Sequence, residues 1–326
     1  MKQKTVLGIG SALTDILSKI NDDNILTQLN LPKGSMQYVD APTSQTIRES
    51  LKPYGSTMAA GGSAANTVSG LAKLGVKAGF LSKVGRDDIG RFFENEMVNT
   101  KVTPLLLKSD TPSGRVIAVI SADGERTFAT HLGASLELSP DDIKPALFDG
   151  WDIFYVEGYL VANRPMLDKA LATAKAQGLT IAIDMASYNM VEENRDYLKA
   201  ILRDYVDIVF ANESEAKALT GLEPLAALHE IASQCKIAIV KVGAKGSYVQ
   251  CGDKVIQIGP TPAQVVDTTG AGDMWAAGFL SGYVNDEPLY LCAKKGALLA
   301  ANIIEVVGAK MDESRWQNIY KLLETL

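Results

Sequence analysis

Between residues 152 and 242 short apolar runs alternate strictly with amphipathic stretches, and that rhythm constrains the fold more than any other feature. Residues 152–157, 180–184, 207–211 and 237–242 read as strands, and the stretches near 164–177, 192–203 and 214–219 read as helices between them. Strands that are apolar along their whole length need cover on both faces, and a helix after each returns the chain for a parallel partner. The pattern predicts an α/β fold of three layers, α/β/α, around a doubly wound, mostly parallel sheet. Gly221 stops one helix, Pro224 starts another, and a hairpin over 247–251 and 254–258 follows. In such sheets ligands bind beyond the strand C-termini, which singles out Asp184 and Asn212.

From Asp267 the chain reads Asp-Thr-Thr-Gly-Ala-Gly-Asp, a glycine-rich turn that ends at Asp273 and runs into an amphipathic helix. Gly270 and Gly272, with Ala271 between them, free the backbone N–H groups of 270–273 to point at one oxyanion. Asp273 would repel a bound phosphate unless a hydroxyl stands between them and gives up its proton. That is the layout for phosphoryl transfer to an alcohol. Read alone, the turn favours an ordinary helix start, whose acidic residue gains about 0.3–1 kcal/mol from the macrodipole. The decision comes from the rest of the chain.

With 326 residues, 47% of them hydrophobic, the chain can bury a site. A formal charge of −6 without a basic run argues against nucleic-acid and membrane surfaces and for a small-molecule ligand. Three cysteines without a Cys-x-x-Cys pair fit buried thiols in a reducing compartment and no structural zinc. His131 and His229, the two histidines, argue against a catalytic triad or a histidine metal site. The N-terminal apolar run is too short for a signal segment and nothing approaches a membrane span, so a soluble, cytoplasmic protein is expected. No P-loop motif occurs, and Gly8-x-Gly10 lacks the third glycine of a dinucleotide fingerprint, where Leu13 stands.

Residues 6–10 read as a buried strand, with Ser11, Thr14 and Asp15 as polar groups beyond its end. Residues 16–42 look like an excursion from the core, and a helix is expected over 43–51. Gly61 and Gly62 open a helix that carries Asn66 in its first turn, where a side-chain amide can bind hydroxyls as donor and acceptor. A strand over 80–84 and a helix reaching about Asn99 follow. Three short strand-like segments, 103–107, 115–120 and 126–131, then occur without intervening helices. They predict a small antiparallel layer, joined by 16–42 as a β-rich lid, within a single domain of residues 1–326 whose lid comprises roughly 16–42 and 103–131. Arg126, Phe128 and His131 are expected to face the cleft.

Two stretches together suggest the class. Gly61-Gly-Ser-Ala-Ala-Asn66 through Gly85-Arg-Asp-Asp-x-Gly90, and Asp267-Thr-Thr-Gly-Ala-Gly-Asp273, resemble the two signature motifs of the ribokinase-like, or PfkB-type, carbohydrate and purine kinases. The order and separation of the motifs and the βα pattern between them extend the resemblance over essentially the whole chain.

The resemblance implies an ATP-dependent kinase using Mg²⁺, with a lid that closes on the acceptor. Asp273 matches the family's general base, and Gly270, Ala271 and Gly272 match its anion hole. Asn212-Glu-Ser-Glu215 looks like the family's Asn-x-x-Glu motif, with Glu215 acting on magnesium through bound water. Lys241, Gly243 and Gly246 resemble the nucleotide-side strand and turn, and Thr268 lies beside the anion hole as a further nucleotide contact. Asp267 and Thr269 fall where some members bind a monovalent cation, so potassium is a candidate. Asp15, Gly61, Gly62 and Asn66 carry over as holders of sugar hydroxyls, with Ser11 beside them.

Leu31-Pro-Lys-Gly-Ser-Met36, Glu157-Gly-Tyr159 and Asp184-Met-Ala-Ser187 lean toward the adenosine-kinase-like branch, in which Phe128 and Tyr159 would sandwich a base. Ser11 stands where adenosine kinases commonly have asparagine, and Asp184-Met-Ala-Ser187 lacks the asparagine found at this point in both the sugar-kinase and adenosine-kinase patterns. The acceptor is therefore a nucleoside such as adenosine or a free sugar, and the alternatives are a free-sugar kinase and a catalytically silent nucleoside-binding protein. An exposed edge of the lid is a candidate surface for a homodimer.

Overall fold

The computed structural model describes residues 3–326, in which fourteen strands and twelve α-helices form two sheets and their covering layers. In chain order these are β1 (Val6–Ile9), β2 (Leu13–Lys19), α1 (Asn24–Gln28), β3 (Met36–Tyr38), α2 (Ala41–Leu51), β4 (Thr57–Gly61) and α3 (Ser63–Lys73). Then come β5 (Ala78–Gly85), α4 (Asp88–Asn99), β6 (Val102–Ser109), β7 (Gly114–Ile120), β8 (Arg126–His131), β9 (Ile153–Glu157), α5 (Arg164–Ala176) and β10 (Thr180–Asp184). The remainder is α6 (Tyr188–Glu193), α7 (Arg195–Asp204), β11 (Ile208–Asn212), α8 (Glu213–Thr220), α9 (Pro224–Ala232), β12 (Ile237–Lys241), β13 (Ser247–Cys251), β14 (Lys254–Ile258), α10 (Ala271–Tyr283), α11 (Leu289–Ile303) and α12 (Glu313–Leu323).

The larger sheet has the order β14-β13-β12-β11-β10-β9-β1-β5-β6, parallel from β12 to β6 and antiparallel through the β12–β13–β14 meander. Its strands are apolar on both faces, as two-sided burial requires. In β9, Ile153 and Tyr155 join the core under α3, α10 and α11, while Phe154 and Val156 join the opposite core under α5 and α7. Both cores exclude solvent, so the sheet is the middle of three layers. Phe279 of α10 meets Phe210 of β11 edge-on at 5.6 Å and stacks on Trp275 at 5.4 Å, which fixes the helix to the sheet. The strand order reverses at β1, which pairs with β9 on one side and β5 on the other. Beyond the C-termini of these strands lies the crevice where such sheets hold ligands.

The smaller sheet, β3-β8-β7-β2-β4, has its own apolar core of Ile16, Ile47, Ile117, Val119 and Ala129. It corrects the expected layer in three ways. β6 is not part of it: residues 102–109 pair in parallel with β5 as the far edge of the larger sheet, because α4 is the crossover of a βαβ unit. Pro104, which lacks a ladder donor, is tolerated at that edge. β4, whose Ala-Ala-Gly end has little strand propensity, pairs with β2. The sheet is also mixed rather than antiparallel, since β2 pairs with β7 and β3 with β8 in parallel.

Candidate active site

α10 begins at the C-terminal edge of the larger sheet, on Gly270 in the left-handed conformation (φ 77°). Asp273 is its third residue. Its Oδ1 accepts from Ser63 Oγ at 2.6 Å and its Oδ2 from Asn66 Nδ2 at 2.9 Å, both donors from the first turn of α3. The two helices meet closely enough for this because Gly70 faces Ala277, where a Cβ on Gly70 would lie 2.8 Å from that of Ala277. A carboxylate offers about four lone-pair sites, so two remain. Burial of the carboxyl pushes its pKa up to about 6, against the hydrogen bonds from Ser63 and Asn66. Ala271 N–H donates back to the Thr268 carbonyl at 3.2 Å, so it is not a free member of the expected cradle. Gly272 and Asp273, in the first helical turn, have no intrahelical acceptor for their N–H groups.

Lys241, at the end of β12, reaches the same turn: a Cβ on Gly272 would lie 3.2 Å from its Nζ. Its ammonium pairs with Asp184 Oδ2 at 3.1 Å, within a site where both side chains are largely buried. Burial works against the charge, but Asp184 and Glu215 outweigh it and hold the Lys241 pKa above its ordinary value. Glu215 and Asn212 form a reciprocal capping box at the start of α8: Glu215 accepts from Asn212 N at 2.8 Å and Nδ2 at 2.7 Å, and Asn212 Oδ1 accepts from Glu215 N at 2.9 Å. Burial and the Asp184 charge raise the Glu215 pKa.

These groups border one cavity of about 1290 Å³, which runs from the smaller sheet to the loop over residues 260–269. Its floor includes Asp273, Gly270, Ala271 and Gly272, and one wall includes Asn212, Glu215, Lys241, Gly243, Gly246 and Thr268. At the other end stand Ser11, Asp15, Gly62, Asn66 and Tyr159. Asn66 is buried, and its Oδ1 has no hydrogen-bond partner. An unpartnered buried acceptor on a cavity wall is a place for a ligand hydroxyl. Burial pushes the Asp15 carboxyl up to about 6, opposed by the charge of Lys310.

Three expected acceptor contacts differ. Gly61 does not border the cavity; it leaves room for Asp15, whose carboxylate a Cβ there would meet at 2.5 Å. Phe128 does not border it either, although Thr130 on the same face of β8 does. His131 points to the other face of β8 and contacts the Val39 carbonyl through Nδ1 at 3.2 Å. Tyr38, which sequence reasoning did not single out, borders the cavity instead.

The Asp267 carboxylate is saturated. It accepts from Thr269 N at 3.0 Å, Thr269 Oγ1 at 2.7 Å, Gly308 N at 2.7 Å and Arg126 Nη1 at 2.9 Å. Burial opposes ionisation, but the bonds from Gly308, Thr269 and Arg126 hold its pKa down to about 2. With four lone-pair sites used and a guanidinium already beside it, this side chain does not fit a potassium ion. Among the described residues no group of three or more acidic, histidine or cysteine side chains is arranged to hold a metal directly. Glu215 keeps one lone pair on each oxygen for a metal-bound water, which fits magnesium carried in with phosphates.

The profile of the pfkB family carbohydrate kinases matches residues 34–315. The chain belongs to the pfkB kinase family. It is similar in structure to a probable sugar kinase from Rhizobium etli (31% identity, TM-score 0.84, covering 99% of each chain). It is equally similar to the adenosine kinase from Sinorhizobium meliloti (33%, TM-score 0.83, covering 98% of this chain and 99% of that one). The ribokinase of Arabidopsis thaliana is 27% identical over 97% of this chain and 80% of that protein. Membership makes this a kinase of sugars or nucleosides and implies use of ATP, typically with Mg²⁺.

Within the pfkB signature, Ser63 is the donor that sequence reasoning missed. The signal was available: Ser63 and Asn66 are three apart on one helix, and such residues share a face. The Arg126–Asp267 pair had no such signal, because it joins the smaller sheet to the glycine-rich turn across 141 residues.

Proposed function

We propose that this pfkB kinase transfers the γ-phosphate of ATP to the primary hydroxyl of a ribose-containing acceptor, a nucleoside of the adenosine type, with Asp273 as general base. The observation that carries the reading is the Asp273 carboxylate, held by Ser63 and Asn66 with two lone pairs left, beside Lys241 Nζ at the first turn of α10. ATP supplies the phosphoryl group, and Mg²⁺ offsets the charge of its phosphates. Asp273 accepts the hydroxyl proton late, as a loose transition state allows. The Gly272 and Asp273 N–H groups and the Lys241 ammonium face the charge that develops on the phosphoryl oxygens. Asp15 and the unpartnered Asn66 Oδ1 orient the sugar hydroxyls.

The nucleoside assignment rests on the acceptor end of the cavity, where Tyr38 and Tyr159 offer exposed rings and Leu13, Leu132 and Met190 add apolar surface. Two ring faces at that end suit stacking of a planar base beyond the sugar hydroxyls. The smaller sheet is the lid in this reading, and the Arg126–Asp267 ion pair ties it to the anion-hole turn. The test is an ATP-consumption screen with Mg²⁺ against adenosine, inosine, guanosine, ribose and fructose, with Asp273→Asn as control. Adenosine turnover that is lost in the control supports the proposal. Turnover of a free sugar alone overturns the acceptor assignment, and binding of adenosine with no turnover of any acceptor overturns catalysis.

A further inference from the structure

Glu157 ends β9 beside the point where the strand order reverses, and only 2% of it is exposed. Its Oε1 accepts from Ser11 N at 3.2 Å and its Oε2 from Ala64 N at 3.0 Å. The chain reserves space for this carboxylate: a Cβ on Gly10 would meet Oε2 at 2.4 Å. α3 begins on Gly62 with φ 96° and has no side-chain cap of its own, so an N–H of its first turn is satisfied by a residue 93 positions away. The same turn presents Ser63 and Asn66 to Asp273.

We propose that Glu157 is a positioning residue: by bonding the Ala64 and Ser11 amides it fixes the first turn of α3, and through Ser63 and Asn66 the carboxylate of Asp273. The role rests on the reading of Asp273 as general base. Glu157 exchanges no proton in it. A buried charge is unfavourable unless it is bonded, and here burial pushes the carboxyl up to about 7, the charge of Asp273 adding to the effect. An apolar side chain would fill the site without that penalty but could not accept from either amide.

Glu157→Gln keeps the shape and turns one accepting oxygen into an NH₂ group that faces an N–H. Turnover should fall about 10²-fold, the scale expected when a reacting group is displaced by about 1 Å, with KM for ATP little changed and KM for the acceptor raised by less than kcat falls, because Glu157 borders the acceptor end of the cavity and the same turn carries Asn66. In the Ser63→Ala/Asn66→Ala background the same substitution should add almost nothing, because the path to Asp273 is already cut. Losses that multiply independently, or a raised acceptor KM with kcat unchanged, overturn the proposal. If Glu157→Gln fails to fold, Glu157→Asp serves, since one methylene less prevents its reaching both amides. Amide-exchange protection at Ala64 and the Asn66 side-chain NMR signal should change in the variant whether or not any acceptor is phosphorylated. Unchanged signals refute positioning by themselves, while altered signals with inactive wild-type protein refute the base reading alone.

Discussion

The two walls of the cavity are built on opposite plans. The wall formed by α3 and α10 is tied together by side chains that meet across long stretches of sequence: Ser63 and Asn66 on Asp273, and Glu157 on Ala64. The wall over residues 260–266 has no regular structure, with Val265 66% and Val266 60% exposed, and is anchored where Gln264 N bonds Glu305 and Val266 N bonds the Ile304 carbonyl. The difference is one of task. Proton transfer and charge stabilisation require groups already in place, whereas an apolar ligand surface is accommodated by chain with few bonds and low local stability.

If that contrast is real, substitutions on the first wall should be severe and those on the second mild. Asp273→Asn should lower turnover by about 10²–10⁴-fold while leaving ATP affinity, read by calorimetry, nearly unchanged. In the wild type, turnover should fall as pH drops through about 6, because the protonated carboxyl no longer accepts a proton. At saturating acceptor, where protonation of Asp15 near the same pH does not limit the rate, that limb should be missing from the residual activity of Asp273→Asn.

Lys241→Met leaves Asp184 and Glu215 buried without their cation, and chemical denaturation should show a loss of about 3–5 kcal/mol. Unchanged stability would mean that this corner is not desolvated. Tyr159→Ala should raise acceptor KM by the equivalent of about 0.5–1.5 kcal/mol, with Phe128→Ala nearly neutral because Phe128 stands away from the cavity. A larger effect from Phe128 would move the acceptor toward the smaller sheet. Val265→Ser, on the open wall, should change stability by no more than about 0.5 kcal/mol, and a drop in kcat comparable to that of Asp273→Asn would erase the distinction between the walls.

What the sequence disclosed follows the same division. The βα alternation and the glycine-rich turn are local patterns, so the parallel sheet from β9 to β12 and the placement of Asp273 at the start of α10 were legible. The strand read over 103–107 was misplaced because strand-like composition does not say which sheet a strand joins. Only the pairing of β6 with β5 across α4 does. Tyr38 was invisible because β3 is three residues long and reaches the cavity only through its pairing with β8. The saturation of Asp267 escaped for a related reason, as two of its four donors, Arg126 and Gly308, come from distant segments.

The most direct test of the account is turnover at saturating acceptor by wild type and Asp273→Asn across the pH range around 6. The account predicts a wild-type profile that declines on the acid side of that value and a variant slower by about 10²–10⁴-fold without the decline. A variant with wild-type turnover, or one that keeps the acid decline unchanged, would contradict it.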